Sequence, residues 1–262
     1  MSFSTYQNFW EEFVPRGYII VFPRTEEGLV NDHQEFGWDL QYLVTKMQEE
    51  GVNSNSSIFG AVDNNTALMG HSMGGIVAAE IASQLKLKVN NLIMLEPVLY
   101  YEPKEVIKLK IKKFLQFSDF SASNKSSGAR QRRNNFASFD EAVEHFIGRA
   151  MFVSWPEESI KSYLKGGLVK REGSFFLSCD PAWEAKTFET VTFDTYKFLK
   201  KATCPVLIIR GDKETSTFTD EAKKALSKKN NILIEEYSGT HFLPIENVEL
   251  VSSRVVDFLS KD

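Results

Sequence analysis

The sequence predicts an α/β fold: a mainly parallel sheet of about five strands flanked by helices, with a mostly helical lid inserted between two core strands. Three observations carry that expectation. Short apolar runs alternate with helical patterns at both ends of the chain, as in a parallel sheet covered by helices. One run enters the turn Gly70-x-Ser72-x-Gly74 and leaves it as a helix. Residues 98–202 break the alternation with helical patterns of their own. The expected division is a core of 1–97 and 203–262, with 98–202 as the lid.

Thr5 to Val14 sets Phe9, Trp10 and Phe13 at the spacing of a short amphipathic helix, ended by Pro15-Arg16-Gly17. Tyr18-Ile19-Ile20-Val21-Phe22 is a continuous apolar run of β-branched and aromatic residues, which reads as a buried strand stopped by Pro23. Phe36, Leu40, Leu43, Val44 and Met47 predict a helix over 33–50, closed by Gly51. Residues 51–65, rich in Asn, Ser and Gly, read as loop. Thr66 to Met69 is the strand before the glycine turn, and Ile76 to Ala82 lies in the helix after it. In such a turn a side chain at 70 or 74 is expected to crowd the turn and the helix behind it. Asn91 to Glu96 is the next strand, stopped by Pro97.

Within the inserted segment, Ser121 to Arg133 reads as a flexible polar loop. Ser138-x-x-Glu141 is a capping box that opens a helix with Phe139, Val143, Phe146 and Ile147 inward. Ser154-Trp155-Pro156-Glu157 opens another, closed by Gly166-Gly167. Extended pieces near 168–178 suggest a hairpin, and helices are expected at 181–189 and 192–201. The core rhythm then resumes with a strand at Pro205 to Ile209, a turn at Gly211-Asp212-Lys213-Glu214, and a helix over 218–228. A strand at Ile232 to Tyr237, a turn at Gly239-Thr240-His241 and a closing helix from Asn247 to Ser260 complete it.

Composition bounds the partners. A chain of 262 residues that is 42% hydrophobic and 25% charged can bury one sizeable core. A net charge of −4 argues against general nucleic-acid binding. The basic stretch 104–133 reads as a solvated lid loop rather than a membrane surface. No apolar run approaches a membrane span. Cys179 and Cys204 form neither a disulfide framework nor a zinc pattern. With no basic start leading into an apolar h-region, a cytoplasmic location is expected. No metal or cofactor is expected, because neither a metal-ligand motif nor a phosphate loop is present.

The chemistry centres on Ser72. A serine hydroxyl needs an adjacent base to act as a nucleophile at neutral pH. His241 follows the last strand at the carboxyl edge of the sheet, the edge that also carries Ser72, and is the expected general base. His71 reads as a pocket or support residue, and His33 and His145 as surface or packing histidines. The base needs a carboxylate to orient it. Glu214 ranks first, Asp212 second, and Glu96, at the end of its strand, a distant third. Met73, the residue after the nucleophile, would supply one oxyanion donor through its backbone N–H.

Gly70-His71-Ser72-Met73-Gly74-Gly75, with Pro205 to Glu214 and Gly239-Thr240-His241-Phe242-Leu243, resembles the α/β-hydrolase superfamily. In that superfamily the acid commonly sits three residues after the glycine ending its strand, which matches Glu214 after Gly211. The segment from Gly17-Tyr18 to Gly70 resembles dienelactone hydrolases and chlorophyllases, and Arg132 to Ala185 resembles the lids of fungal lipase-like hydrolases. The resemblance implies a serine esterase or lipase-like enzyme cleaving a small-molecule carboxylic ester through an acyl-enzyme. It also implies three strands before the one read at 18–22, the third ending in a second oxyanion donor. The expectation is therefore a chain lacking those N-terminal strands, with impaired activity unless residues 1–4 or the loop after Phe22 replace the donor. The alternative is a hydrolase-fold protein that binds a ligand without cleaving it.

Overall fold

The computed structural model describes residues 6–13, 15, 67–84, 89–99, 124–190, 195–213 and 216–260. Their elements, in chain order, begin with α1 (Gln7–Glu11), β1 (Ala67–His71), α2 (Met73–Gln84) and β2 (Asn91–Leu95). There follow α3 (Asn124–Arg130), β3 (Asn135–Phe136), α4 (Phe139–Phe146), α5 (Glu157–Gly167), β4 (Leu168–Arg171), β5 (Ser174–Leu177) and α6 (Pro181–Thr190). The last are α7 (Thr195–Lys201), β6 (Val206–Gly211), α8 (Asp220–Leu226), β7 (Ile232–Tyr237), α9 (Leu243–Glu246) and α10 (Val248–Leu259). The strand expected at 18–22, the helix at 33–50 and the loop at 51–65 lie outside the described residues.

Two compact units divide these elements. One draws on Met1–Phe22, Lys112–Val191 and Pro244–Ser252, the other on Pro23–Ile111, Thr192–Leu243 and Ser253–Asp262.

The second unit holds a parallel sheet of four strands, in the order β1-β2-β6-β7. Five were expected, and the fifth was the run at 18–22. The two central strands explain the order. Leu92 to Leu95 and Val206 to Ile209 are all at most 2% exposed, which only a strand covered on both faces requires. β7 mixes buried, half-buried and exposed positions, as an outer strand can. Its Glu235 accepts from both Nε and Nη2 of Arg254 on α10. α2 carries Ile76, Ala78, Ala79 and Ile81 as buried residues, and its small residues allow close packing on β1, β2 and α7. The core joins Ala78, Ala79, Leu92, Met94, Val206, Ile208 and Phe218, with Leu199 of α7 among them. α7 thus packs in the sheet unit, although the sequence groups residues 195–201 with the insertion.

The other unit holds an antiparallel sheet in the order β3-β5-β4. Its β4–β5 hairpin turns on Glu172 and Gly173, both at positive φ (49° and 85°), the two-residue turn that matches strand twist. The capping box forms at α4: Ser138 Oγ accepts from Glu141 N–H at 3.0 Å. The Glu141 carboxylate accepts from Ala137 N–H and from Arg133, each at 2.5 Å. Residues 124–130 depart from the loop reading expected for 121–133, because they form α3. Ser126 and Ala129 are buried at 0% and 2%, small side chains that let α3 approach α6 closely, and Arg132 pairs with Glu184 at 2.5 Å. Small polar residues hide such a helix from any hydrophobic periodicity. Among the described residues no helix is long and apolar enough to cross a membrane.

Candidate active site

β1 ends at His71 and α2 begins at Met73, leaving Ser72 alone in the turn between them. Its φ is 56°, a left-handed conformation that a non-glycine residue holds only under local constraint. The constraint is visible. Ser72 N–H donates to Leu95 O at 3.0 Å, and its carbonyl accepts from Gly75 N–H at 3.1 Å and Val98 N–H at 3.4 Å. A side chain at Gly70 would put a Cβ 2.1 Å from the Gly74 carbonyl oxygen, so only glycine fits. The expectation for position 74 needs correcting: a Cβ there meets nothing within 4 Å among the described residues. The tight second glycine is Gly75, whose Cβ would stand 3.0 Å from Pro97 Cβ.

Strand register decides what faces Ser72. His71 pairs with Leu95, and Leu95 pairs with Ile209. Glu96 therefore leaves β2 level with Ser72 and between the ends of β1 and β6. It has a φ of 44° and no exposed surface. A buried carboxylate is costly unless hydrogen bonds replace its water. Here Oε1 accepts from Gly211 N–H and from Ser216 Oγ at 3.0 Å, and Oε2 from Thr217 N–H at 3.4 Å.

His241 joins the two. Its Nε2 is 2.8 Å from Ser72 Oγ and its Nδ1 is 3.2 Å from Glu96 Oε2. The ring lies edge-on to Phe242, with centroids 5.1 Å apart, and 5.0 Å from the ring of His71. His71 Nε2–H donates to the His241 carbonyl at 2.7 Å, tying the turn after β7 to the serine turn. Burial, followed by the nearby charge that His241 would carry, lowers the His71 pKa from 6.5 to about 3. His71 is therefore a neutral donor at physiological pH and supports the neighbouring turn, as its sequence reading expects.

Of the two candidate carboxylates among the described residues, the one at the His241 ring is Glu96, which the sequence ranks last. Glu214 lies outside the described residues. Asp212 is exposed, and its Oδ1 accepts from Gly239 N–H at 3.1 Å, so it braces the turn that carries His241. Ser216 and Thr217, the donors around Glu96, have no sequence signal beyond being polar turn residues. Met73 is the first residue of α2, where helix N–H groups lack intrahelical partners and carry partial positive charge. The sites proposed for a second oxyanion donor, and His33, fall outside the described residues. His145 packs on Phe136, with centroids 5.4 Å apart, in the antiparallel unit. Among the described residues no group of three or more His, Cys, Asp and Glu is placed to hold a metal ion.

Neither protein-family models nor curated proteins give a match to this sequence. Solved structures do resemble the chain. It is similar to E-2-(acetamidomethylene)succinate hydrolase at 15% identity, covering 96% of this chain and 86% of that one, with a TM-score of 0.65. It is similar to the peroxisomal alpha-beta-hydrolase Lpx1 from Saccharomyces cerevisiae at 16% identity, covering 97% and 71%, with a TM-score of 0.65. Similarity to MenH from S. aureus reaches 18% identity over 98% and 88%, with a TM-score of 0.61.

Proposed function

We propose that this chain, which has the α/β-hydrolase fold, is a serine hydrolase that cleaves a carboxylic ester through an acyl-enzyme intermediate. The observation that carries the reading is the unbroken line from Ser72 Oγ through His241 Nε2 and Nδ1 to Glu96 Oε2, at 2.8 and 3.2 Å. In this mechanism His241 Nε2 accepts the Ser72 proton as Oγ attacks the ester carbonyl. Glu96 keeps the other proton on Nδ1 and stabilises the imidazolium that forms. The Met73 N–H donates to the oxygen that becomes negative, at the positive end of α2. His241 then protonates the departing alcohol, and water repeats the sequence to release the acid.

Glu96 takes the orienting role here because, among the described residues, it is the carboxylate in contact with the ring, and because Gly211 N–H, Ser216 Oγ–H and Thr217 N–H all donate to it in its buried position. The aromatic residues of the segment 98–202, read from its sequence as a lid, favour a medium-sized apolar acyl or alcohol group in the substrate. The substrate is a small molecule, and no cofactor takes part in these steps.

The test is labelling with a fluorophosphonate probe beside a Ser72→Ala control. The expected outcome is a labelled wild type and an unlabelled variant. A panel of esters and thioesters of rising chain length then identifies the preferred substrate. A folded wild type that resists the probe overturns the enzyme reading.

A further inference from the structure

The Thr217 hydroxyl sits beside the same ring nitrogen as Glu96. Its Oγ1 is 3.3 Å from His241 Nδ1, 3.2 Å from the Pro97 carbonyl oxygen and 3.5 Å from the Glu96 carbonyl oxygen. A hydroxyl has one proton and two lone pairs, and a carbonyl only accepts. The hydroxyl proton therefore goes to the backbone carbonyls after β2, with Pro97 the nearer. That leaves a lone pair for Nδ1–H. Among the described residues Nδ1–H then meets two acceptors, Glu96 Oε2 at 3.2 Å and Thr217 Oγ1 at 3.3 Å. Both are longer than the usual N–H···O distance of about 2.9 Å, as expected when one proton is shared between two acceptors.

We propose that Thr217 is a positioning residue: a second acceptor for His241 Nδ1–H that holds the ring in the tautomer and orientation aimed at Ser72. This rests on the serine-hydrolase reading above. Thr217 is well fixed for the task. Its N–H donates to Glu96 Oε2 at 3.4 Å, and its carbonyl accepts from Leu99 N–H at 3.1 Å. The next residue, Phe218, is 1% exposed and pairs with Leu99 as a parallel bridge. The hydroxyl is thus held from both sides of the residue that bears it. Carboxylate and hydroxyl do different work on one proton: Glu96 supplies charge, and Thr217 supplies direction.

The experiment measures the pH profile of the fluorophosphonate labelling rate in Thr217→Val and Thr217→Ser, with melting temperatures as the check on folding. Valine keeps the shape and removes the acceptor; serine keeps the acceptor. In Thr217→Val the rate falls about tenfold, the size expected for one lost hydrogen bond. The acid limb moves to lower pH, because an imidazolium with one acceptor fewer is less stabilised. Thr217→Ser restores both rate and limb. A Val variant with the wild-type rate and an unmoved limb overturns the proposal, as does a Ser variant that restores neither. If Val lowers the melting temperature, Thr217→Ala, which removes the acceptor without adding a methyl group in its place, decides by the same criteria. A labelled wild type with an unaffected Thr217 variant sinks the positioning role alone; an unlabelled wild type sinks the hydrolase reading and the role with it.

Discussion

The turn after β2 and the turn after β6 reach the same edge of the sheet, and both carry acidic residues, yet they contribute opposite things. The first delivers Glu96, fully buried, to the His241 ring. The second delivers donors: Gly211 N–H, Ser216 Oγ–H and Thr217 N–H all point at the Glu96 carboxylate. Its own described acid, Asp212, is exposed and bonded to Gly239 N–H. What separates the turns is register and cover. Glu96 leaves a central strand level with Ser72 and is covered on all sides, so its charge has to be met by protein groups. Asp212 stays in water, where charge is inexpensive to keep and weak in its effects. A carboxylate suits the orienting role when it is desolvated and already surrounded by donors, because no solvent must reorganise as the imidazolium forms.

The sharpest way to break this comparison is to neutralise the acids one at a time. Glu96→Gln is expected to lower the Ser72 labelling rate by about 10³- to 10⁴-fold, the scale seen when an orienting carboxylate becomes an amide and the tautomer is lost. It also turns an amide nitrogen toward donors, at a cost of about 1–3 kcal/mol in stability. Glu214→Gln and Asp212→Asn should each stay within about tenfold of wild type, the scale of a single peripheral hydrogen bond. A larger loss in Glu214→Gln than in Glu96→Gln would reverse the assignment and return the role to the β6 turn.

These two turns also mark where the sequence is readable. The Gly70-x-Ser72-x-Gly74 signal is local, because chain neighbours make the turn, and Ser72 does lie in a left-handed turn between β1 and α2. The apolar runs at Leu92 to Leu95 and Val206 to Ile209 declare central strands for the same reason: burial on both faces leaves no room for polar alternation. His241 is legible once the last strand is recognised. The contact between Glu96 and the His241 ring is not, since it depends on His71 pairing with Leu95. That is a property of strand order and register, which spacing along one chain does not encode. α3 escapes notice for the converse reason. Its buried residues are Ser126 and Ala129, too small and too polar to announce an amphipathic face.

A third element at this edge sharpens the contrast through pH. His71 is held neutral, with its folded pKa near 3 against 6.5 for the unattached side chain. Below 6.5 the unfolded chain takes up a proton that the folded chain refuses. Folding stability therefore falls as pH drops from about 6.5 toward about 3, by at most about 1.4 kcal/mol per pH unit from this group. Above 6.5 neither state is protonated and the effect vanishes. His71→Gln keeps a donor near the His241 carbonyl but does not titrate. In urea melts at pH 7.5 and 4.5, the variant should lose less stability than wild type between the two. Equal losses would mean that His71 is not the neutral strut described.

The smallest expected effect belongs to Asp212, and it tests the difference between holding a turn and holding a ring. Its carboxylate accepts from Gly239 N–H at 3.1 Å, while Lys213 N–H donates to the Gly239 carbonyl at 3.2 Å and Asp212 N–H to the Tyr237 carbonyl at 3.0 Å. The β6 and β7 turns are thus stitched together by three bonds, only one of which needs the Asp212 side chain. Gly211 lies so near Gly239 that a Cβ there would stand 2.3 Å from its carbonyl oxygen, so close packing secures the contact as well. Because the carboxylate is exposed, Asp212→Ala should cost only about 1 kcal/mol in stability and slow Ser72 labelling a few-fold through a looser His241 turn. Asp212→Asn retains an acceptor oxygen and should be closer to wild type than Ala on both measures. If Asn were instead as damaging as Ala, charge rather than hydrogen bonding would be at work, and the β6 turn would be acting on the His241 ring electrostatically as well as through Glu96.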